Sequence, residues 1–300
     1  MMKRTLILSL LLSIGMTTAF ANMSDSFERK MFSLGSTTLP YRYAEICNND
    51  NAPALVLYLH GGTSRGDDNE AQLNEAAVSV IYQYLTSHNI SATFIVPQCP
   101  AGGGWTGTLR RVINELLRSY INAGQADCCR VYVMGGSMGG TGTWCQLSNY
   151  PNFYAAAMPV AGNPTGMNAE NVATTPVYTV MGTADNIMSI DAVEAFQVDV
   201  LAAGGTLILE TETGWTHQNT CEQSYTEHRL DWLFSHTLST DSPIVGDVNG
   251  DGYVTSSDVT AIYNYMLNGD ETYIATCDVN NDGYITSSDV TAIYNILLGN

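Results

Sequence analysis

Basic side chains are scarce in this chain: 11 Lys and Arg stand against 29 Asp and Glu among 300 residues, a formal balance of −18. That excludes nucleic acid and anionic membrane surfaces as partners, because phosphate contacts and surface adhesion need clusters of cations. Long apolar runs are missing too. Beyond residue 21 no stretch reaches the roughly 18 unbroken apolar residues that a membrane-spanning helix needs, so no membrane partner is expected. No two cysteines have C-x2-C spacing and no histidines cluster with them, which leaves zinc unsupported. Histidine numbers only five, so the competitors for any histidine role can be compared one by one.

What is present begins with an export pattern. Residues 1–21 carry Lys3 and Arg4, an apolar run from Thr5 to Met16, and Ala19-Phe20-Ala21. These are a basic n-region, an h-region too short to span a bilayer and a small-residue cleavage site. A signal peptide over 1–21 and a secreted chain starting near Asn22 are expected. Export permits disulfides among Cys47, Cys99, Cys128, Cys129, Cys145, Cys221 and Cys277, but the odd number leaves at least one thiol without an intrachain partner. Sequence does not choose the pairing, and simple buried thiols fit equally.

From Ala54 onward, short apolar runs alternate with helical stretches. Strands are expected at Ala54 to Leu59, Ala92 to Val96, Val131 to Gly136, Ala155 to Val160, Pro176 to Met181 and Thr206 to Glu210. Helices are expected near Glu70 to Thr86, Leu109 to Ala123, Gly139 to Leu147, Asp191 to Ala203 and from about Gln223. Strict alternation with continuous apolar strands implies an α/β domain with a doubly wound, mostly parallel sheet covered on both faces. This domain is placed at 22–238, followed by a polar linker at 239–244 and a repeat domain at 245–300.

Gly135-Gly136-Ser137-Met138-Gly139 closes the third strand and opens a helix, the G-x-S-x-G pattern of a nucleophile elbow. Small residues flank Ser137 because the turn is strained and Cβ atoms would block the approach of strand and helix. Upstream, His60-Gly61-Gly62-Thr63 follows the first strand; the N–H of Gly62 and that of Met138 are the expected donors to a developing oxyanion. The acid and base should follow the serine, each past the end of a later strand. Asp185 does so in Gly182-Thr183-Ala184-Asp185-Asn186, and His217 in Gly214-Trp215-Thr216-His217. His60 belongs to the oxyanion turn, His88 ends a helix, and His228 and His236 fall in the terminal helix, which leaves His217 in a loop. Trp105, Trp144 and Trp215 are candidates for stacking on a substrate ring, or for packing.

The C-terminus is an internal repeat. Asp247 to Asn268 and Asp278 to Gly299 align without a gap at a spacing of 31, with 17 of 22 positions identical. Each opens with a loop whose positions 1, 3, 5 and 12 carry side-chain oxygens and whose position 6 is glycine, with a backbone carbonyl at position 7. The ligands expected are Asp247, Asn249, Asp251, Tyr253 (carbonyl) and Asp258 in the first loop, and Asp278, Asn280, Asp282, Tyr284 (carbonyl) and Asp289 in the second. All-oxygen sets of this kind call for Ca2+, one ion per loop, in a structural role. One amphipathic helix follows each loop, Val259 to Leu267 and Val290 to Leu298, with no entering helix, and an Asp stands at position 12 where EF-hands place Glu.

Loop plus single helix, duplicated, with Asp at position 12, resembles a type I dockerin over nearly all of 245–300. The resemblance implies docking on a cohesin through the hydroxyl pairs at loop positions 10 and 11, here Ser256-Ser257 and Ser287-Ser288. It departs from many dockerins in having nine carboxylates and no Lys or Arg over residues 241–300.

His60-Gly61-Gly62 with Arg65-Gly66-Asp67-Asp68-Asn69, Pro97-Gln98-Cys99-Pro100 leading to Trp105, Arg130-Val131-Tyr132, the elbow, Trp144 and Tyr150-Pro151 resemble the secreted α/β-hydrolases labelled predicted peptidase or carboxylesterase. Feruloyl and acetylxylan esterases stand close to that family. The likeness implies a Ser137-Asp185-His217 triad that hydrolyses acyl esters of plant cell-wall polysaccharide, without a cofactor for catalysis. A prolyl-oligopeptidase-like serine peptidase, or a binding protein carrying a silent hydrolase, is the alternative. Relatives place an aromatic residue after the histidine, whereas here Trp215 precedes it.

Overall fold

A computed structural model describes residues 23–47, 52–238, 245–249, 253–270, 276–280 and 282–299. The expected signal peptide at 1–21, the linker at 239–244 and the loop residue Asp251 lie outside the described residues. The chain divides into two compact units that part between Thr237 and Leu238. No described helix is long and apolar enough to cross a membrane.

The first unit is built on strands β1 (Glu28–Leu34), β2 (Thr37–Ile46), β3 (Ala54–Leu59), β4 (Ala92–Pro97), β5 (Val131–Gly136), β6 (Ala156–Val160), β7 (Val177–Gly182) and β8 (Leu207–Glu212). They form one sheet in the order β1-β2-β4-β3-β5-β6-β7-β8, parallel from β4 to β8. Strands β3 to β7 are buried at every position, as continuous apolar runs covered on both faces should be.

Two antiparallel strands that the apolar-run pattern does not reveal precede Ala54. β1 has no apolar run because it is the sheet edge and is exposed or half-buried along its whole length. Its turn, Gly35-Ser36, joins Leu34 opposite Thr37 and takes φ +59° at Gly35, the positive value that a two-residue hairpin needs at its first central position. β2 then runs antiparallel to β4, with Tyr41 opposite Pro97 and Ile46 opposite Ala92.

Helices α1 (Ala76–Ser87), α2 (Thr108–Asn122), α3 (Met138–Asn149), α4 (Ala169–Val172), α5 (Ile190–Ala202), α6 (His217–Gln223) and α7 (Glu227–Phe234) complete the unit. Two of them differ from expectation. The helix expected from Glu70 is a 3-10 turn, Ala71–Asn74, and then α1, broken at Glu75, whose backbone is extended at φ −63° and ψ 127°. The terminal helix expected from about Gln223 is α7, which starts at Glu227; α6 ends at Gln223, and the two are separated at the buried Tyr225.

The chain leaves β3, crosses to β4 on one side and returns to β5 on the other. The carboxyl ends of β3 and β5 are therefore neighbours at the point where strand order reverses, the place where open α/β sheets form a crevice. α3 starts there and presses on β3: a Cβ built on Gly139 would lie 1.7 Å from the carbonyl oxygen of Leu59. No side chain fits at that position.

In the second unit, helices α8 (Ser256–Asn268) and α9 (Ser287–Leu298) begin three residues earlier than the apolar pattern suggests. The reason is a capping box in each repeat, in which Thr255 pairs with Asp258 and Thr286 with Asp289. Val248, Val254, Val259, Ile262, Val279, Val290 and Ile293 make a small shared core.

Gly139→Ala should destabilise the first unit by more than about 3 kcal/mol, since only a backbone shift would relieve the overlap. Gly104→Ala, where the nearest atom to a new Cβ is 4.0 Å away, should be neutral. Urea unfolding followed by circular dichroism compares the two.

Candidate active site

Ser137 stands between β5 and α3 with φ +59° and ψ −117°. A non-glycine residue held at positive φ costs about 1–3 kcal/mol and persists only where its surroundings fix it. Here the Ser137 N–H donates to the Val160 carbonyl of β6 at 2.9 Å, and the Ser137 carbonyl accepts from Thr141 N–H at 3.0 Å. The hydroxyl is thereby presented at the sheet edge.

His217 meets it there. The Ser137 Oγ and His217 Nε2 are 2.7 Å apart, and His217 Nδ1 and Asp185 Oδ2 are 2.8 Å apart. The Asp185 carboxylate has no exposed side-chain surface, and its other oxygen accepts the N–H groups of Ile187 and Met188 at 2.8 and 3.0 Å. An ionised carboxylate only accepts, so the imidazole proton sits on Nδ1 and Nε2 is left as a base toward the serine hydroxyl. These three side chains, 80 residues apart in the chain at their extremes, have the geometry of a serine-hydrolase triad.

Local sequence explains how the acid and base are held. His217 is not in a loop, as the strand pattern suggests, but is the first residue of α6. Thr216 caps that helix, its hydroxyl accepting from Asn219 N–H while Asn219 Oδ1 accepts from Thr216 N–H. Such a short helix has no apolar periodicity to announce it. The Asp185 loop is tied to the same segment: Ala184 N–H donates to the Trp215 carbonyl at 3.0 Å, and Gly214 N–H to Thr183 Oγ1 at 2.8 Å.

The glycine turn after β3 lies against the nucleophile, with a Cβ on Gly61 falling 3.8 Å from that of Ser137. Gly62 begins a 3-10 turn, Gly62–Ser64, and Met138 begins α3, so neither N–H has an acceptor within its own helix. The Gly61 N–H is taken by Glu75 Oε1 at 3.1 Å. His60 is buried beneath the turn, its Nδ1 bonded to the Gly61 carbonyl at 2.6 Å and its Nε2 accepting from Cys99 N–H at 2.9 Å.

All seven cysteines carry free thiols. Cys221 Sγ lies 4.0 Å from His217 Nε2, and burial, with the charge of Glu75 next, pushes its thiol up to about 12, so it stays protonated beside the base. Trp105 and Trp144 cannot meet a ligand. Both are buried, Trp105 donating to the His60 carbonyl and Trp144 packing edge-on to Phe196. Trp215 is half-buried.

Among the described residues, the His, Cys, Asp and Glu groups that bring three ligand atoms within 4.8 Å of one another are Asp127, Cys128 and Cys129. The carboxylates of the repeat loops are arranged differently. Asp258 and Asp289 are fully buried, each accepting two loop N–H groups on Oδ1 and the N-cap N–H on Oδ2. In the second loop Asp278 accepts from Asp282 and Gly283 N–H, Asn280 Oδ1 from Asp282 N–H, and Asp282 Oδ1 from Tyr284 N–H, so its side-chain oxygens curl around their own backbone. Ser256, Ser257, Ser287 and Ser288 are exposed, but Ser257 and Ser288 also accept from Asn249 and Asn280.

Residues 245–298 match the Dockerin type I domain family, so the chain ends in a dockerin domain. No curated protein matches the chain. Among solved structures it is similar to a thermostable esterase, at 23% identity over 71% of this chain and 64% of that one, with a TM-score of 0.66. It is similar also to a puromycin-hydrolysing peptidase of Mycobacterium tuberculosis (14% identity, 69% and 38% covered, TM-score 0.54). A third is esterase 2 of Thermogutta terrifontis, phosphoramylated by tabun (14%, 71% and 95%, TM-score 0.55). The matched part of this chain spans less than two thirds of the first esterase and of the peptidase. At these identities the likeness establishes the fold alone, a mostly parallel α/β sheet shared with these hydrolases.

Burial holds the His60 imidazole down at about 4, outweighing the hydrogen bond to Gly61 that favours the charged form. In the unfolded chain it titrates near its ordinary 6.5 and takes up a proton that the folded chain refuses. Its contribution to stability is therefore complete above pH 6.5 and is lost as pH falls toward 4, by about 3 kcal/mol in all. His60→Gln should flatten the unfolding free energy over that window relative to the unsubstituted protein, as measured by urea titrations at stepped pH.

Proposed function

We propose that this protein is a secreted serine carboxylesterase acting on acyl esters of plant cell-wall polysaccharide, of the feruloyl or acetyl-xylan type, and tethered by its dockerin domain to a cohesin scaffold. The observation that carries the hydrolase part is the continuous Ser137–His217–Asp185 hydrogen-bond chain at 2.7 and 2.8 Å. The Ser137 oxygen attacks the ester carbonyl while His217 Nε2 takes its proton, and Asp185 stabilises the imidazolium. The carbonyl oxygen becomes an oxyanion received by the N–H groups of Gly62 and Met138. His217 then returns the proton to the leaving sugar oxygen, and water, deprotonated by the same nitrogen, releases the acid from the acyl-enzyme.

The polysaccharide setting is supported by the dockerin match and by the secretion pattern of residues 1–21. Residues 247–258 and 278–289 fit Ca2+ in donor chemistry, since every candidate ligand is a hard oxygen. Asp247, Asn249, Asp251, Asp258 and the Tyr253 carbonyl would hold one ion, and Asp278, Asn280, Asp282, Asp289 and the Tyr284 carbonyl the other. Bound Ca2+ supplies the positive charge that lets loop carboxylates stay close together. Ser256-Ser257 and Ser287-Ser288 would meet the cohesin, one pair per binding orientation.

Ser137→Ala should lower turnover of p-nitrophenyl acetate by about 1,000-fold or more with an unchanged circular dichroism spectrum. Retention of most activity would remove this serine from the mechanism. Methyl ferulate and acetylated xylan, run beside a peptide panel, decide the substrate; hydrolysis confined to the peptides would make the protein a peptidase.

EDTA should abolish capture by a cohesin and leave ester turnover intact, because the two functions rest on separate units. Capture that persists in EDTA would exclude calcium-dependent docking.

A further inference from the structure

We infer that Glu75 is a positioning residue for the oxyanion turn, an inference that rests on the serine-hydrolase reading above. Glu75 is the N-cap of α1, a position where a side chain ordinarily accepts from the first N–H groups of its own helix. Its side chain makes no such bond. Instead Oε1 reaches back to the turn after β3, accepting the Gly61 N–H at 3.1 Å and the Ser64 hydroxyl at 2.6 Å. Oε2 accepts the hydroxyl of Tyr58, a fully buried residue of β3 itself, at 3.4 Å. One carboxylate thus grips the strand before the turn and the turn on both sides of Gly62.

Two consequences follow from that grip. The Gly61 N–H is turned toward Glu75, so within the serine-hydrolase reading the proposed donor is the next N–H of the turn, that of Gly62. The Gly62–Ser64 turn has no side-chain cap of its own, and a bond between the Ser64 N–H and the Gly61 carbonyl, at 3.4 Å, is its weak internal closure. Without Glu75 the peptide carrying the Gly62 N–H would keep the bond of its carbonyl to His60 Nδ1, but the residues on either side of it would lose their charge-assisted bonds to a carboxylate. Oxyanion donors act through preorganisation, so a donor free to reorient loses most of its effect on the transition state while substrate binding is little altered.

Glu75 transfers no proton in this scheme. A neutral amide at position 75 retains the acceptor oxygen, which separates positioning from any role of the charge as a base.

The test compares Glu75→Ala, Glu75→Gln and Ser64→Ala with the unsubstituted protein on p-nitrophenyl acetate, each variant checked by thermal melting. Glu75→Ala should lower kcat by about 30-fold or more, approaching the effect of deleting one oxyanion donor, with KM within about twofold. Glu75→Gln should recover most of that loss. Ser64→Ala, which removes one anchor, should lower kcat by about threefold to tenfold at unchanged KM. Inhibition by a trifluoromethyl ketone, whose adduct carries the oxyanion, should weaken in step with kcat.

An unchanged kcat in Glu75→Ala would overturn the inference, as would a loss in Glu75→Gln as large as in Glu75→Ala, or a loss that appears only in KM. Should Glu75→Ala fail to fold, Ser64→Ala decides alone, and an unaltered kcat there is the overturning result. The hydrolase reading is judged separately, by turnover in the unsubstituted protein and its disappearance in Ser137→Ala.

Discussion

The Leu59 carbonyl at the end of β3 and the first turn of α3 occupy nearly the same space, and only the missing side chain of Gly139 lets them do so. This approach decides where the helix begins, and the helix start decides the rest. With α3 pressed on β3, the chain must reverse within one residue after β5, which forces Ser137 to positive φ and projects its hydroxyl outward. The same approach brings the turn after β3 against the serine, so that the Ser137 side chain and the Gly61-Gly62 turn share one small space at the carboxyl edge of the sheet.

The strain at Ser137 is balanced by bonds to several layers of the fold. β6 accepts its N–H, α3 donates to its carbonyl, and α6 contributes the imidazole. His217 in turn is placed by a cap rather than by a loop, and the Asp185 loop is tied to the His217 segment through backbone bonds at Ala184 and Gly214. Acid and base are therefore held on segments bonded to each other. A chain of this kind tolerates a neutral buried histidine and a protonated buried thiol around the site, His60 and Cys221, because neither introduces a competing charge.

The second unit works on a different principle. Its core is a handful of Val and Ile side chains, so local devices matter more: capping boxes start both helices, and buried Asp258 and Asp289 tie each loop to the helix that follows it. In the second loop, side-chain oxygens close on their own N–H groups around Gly283 at φ +86°. Repetition of one sequence yields the same device twice.

Much of this protein was determined by the sequence alone. Continuous apolar runs located β3 to β7, since strands buried on both faces carry mostly apolar residues, and the order of Ser137, Asp185 and His217 behind β5, β7 and β8 identified the triad. The repeat with its oxygen pattern identified the dockerin domain in the same way. The β1-β2 hairpin escaped because an edge strand needs no apolar run, and α6 escaped because a cap and seven residues leave no periodicity. Only the tertiary structure decided that Trp105 and Trp144 pack inward, that the thiols stand unbridged, and that Glu75 breaks its helix to hold the Gly61 turn. Those outcomes depend on which surfaces meet across 14 to 45 residues of chain, as for Glu75 with Gly61 and Trp105 with His60, and local pattern carries no record of such distances.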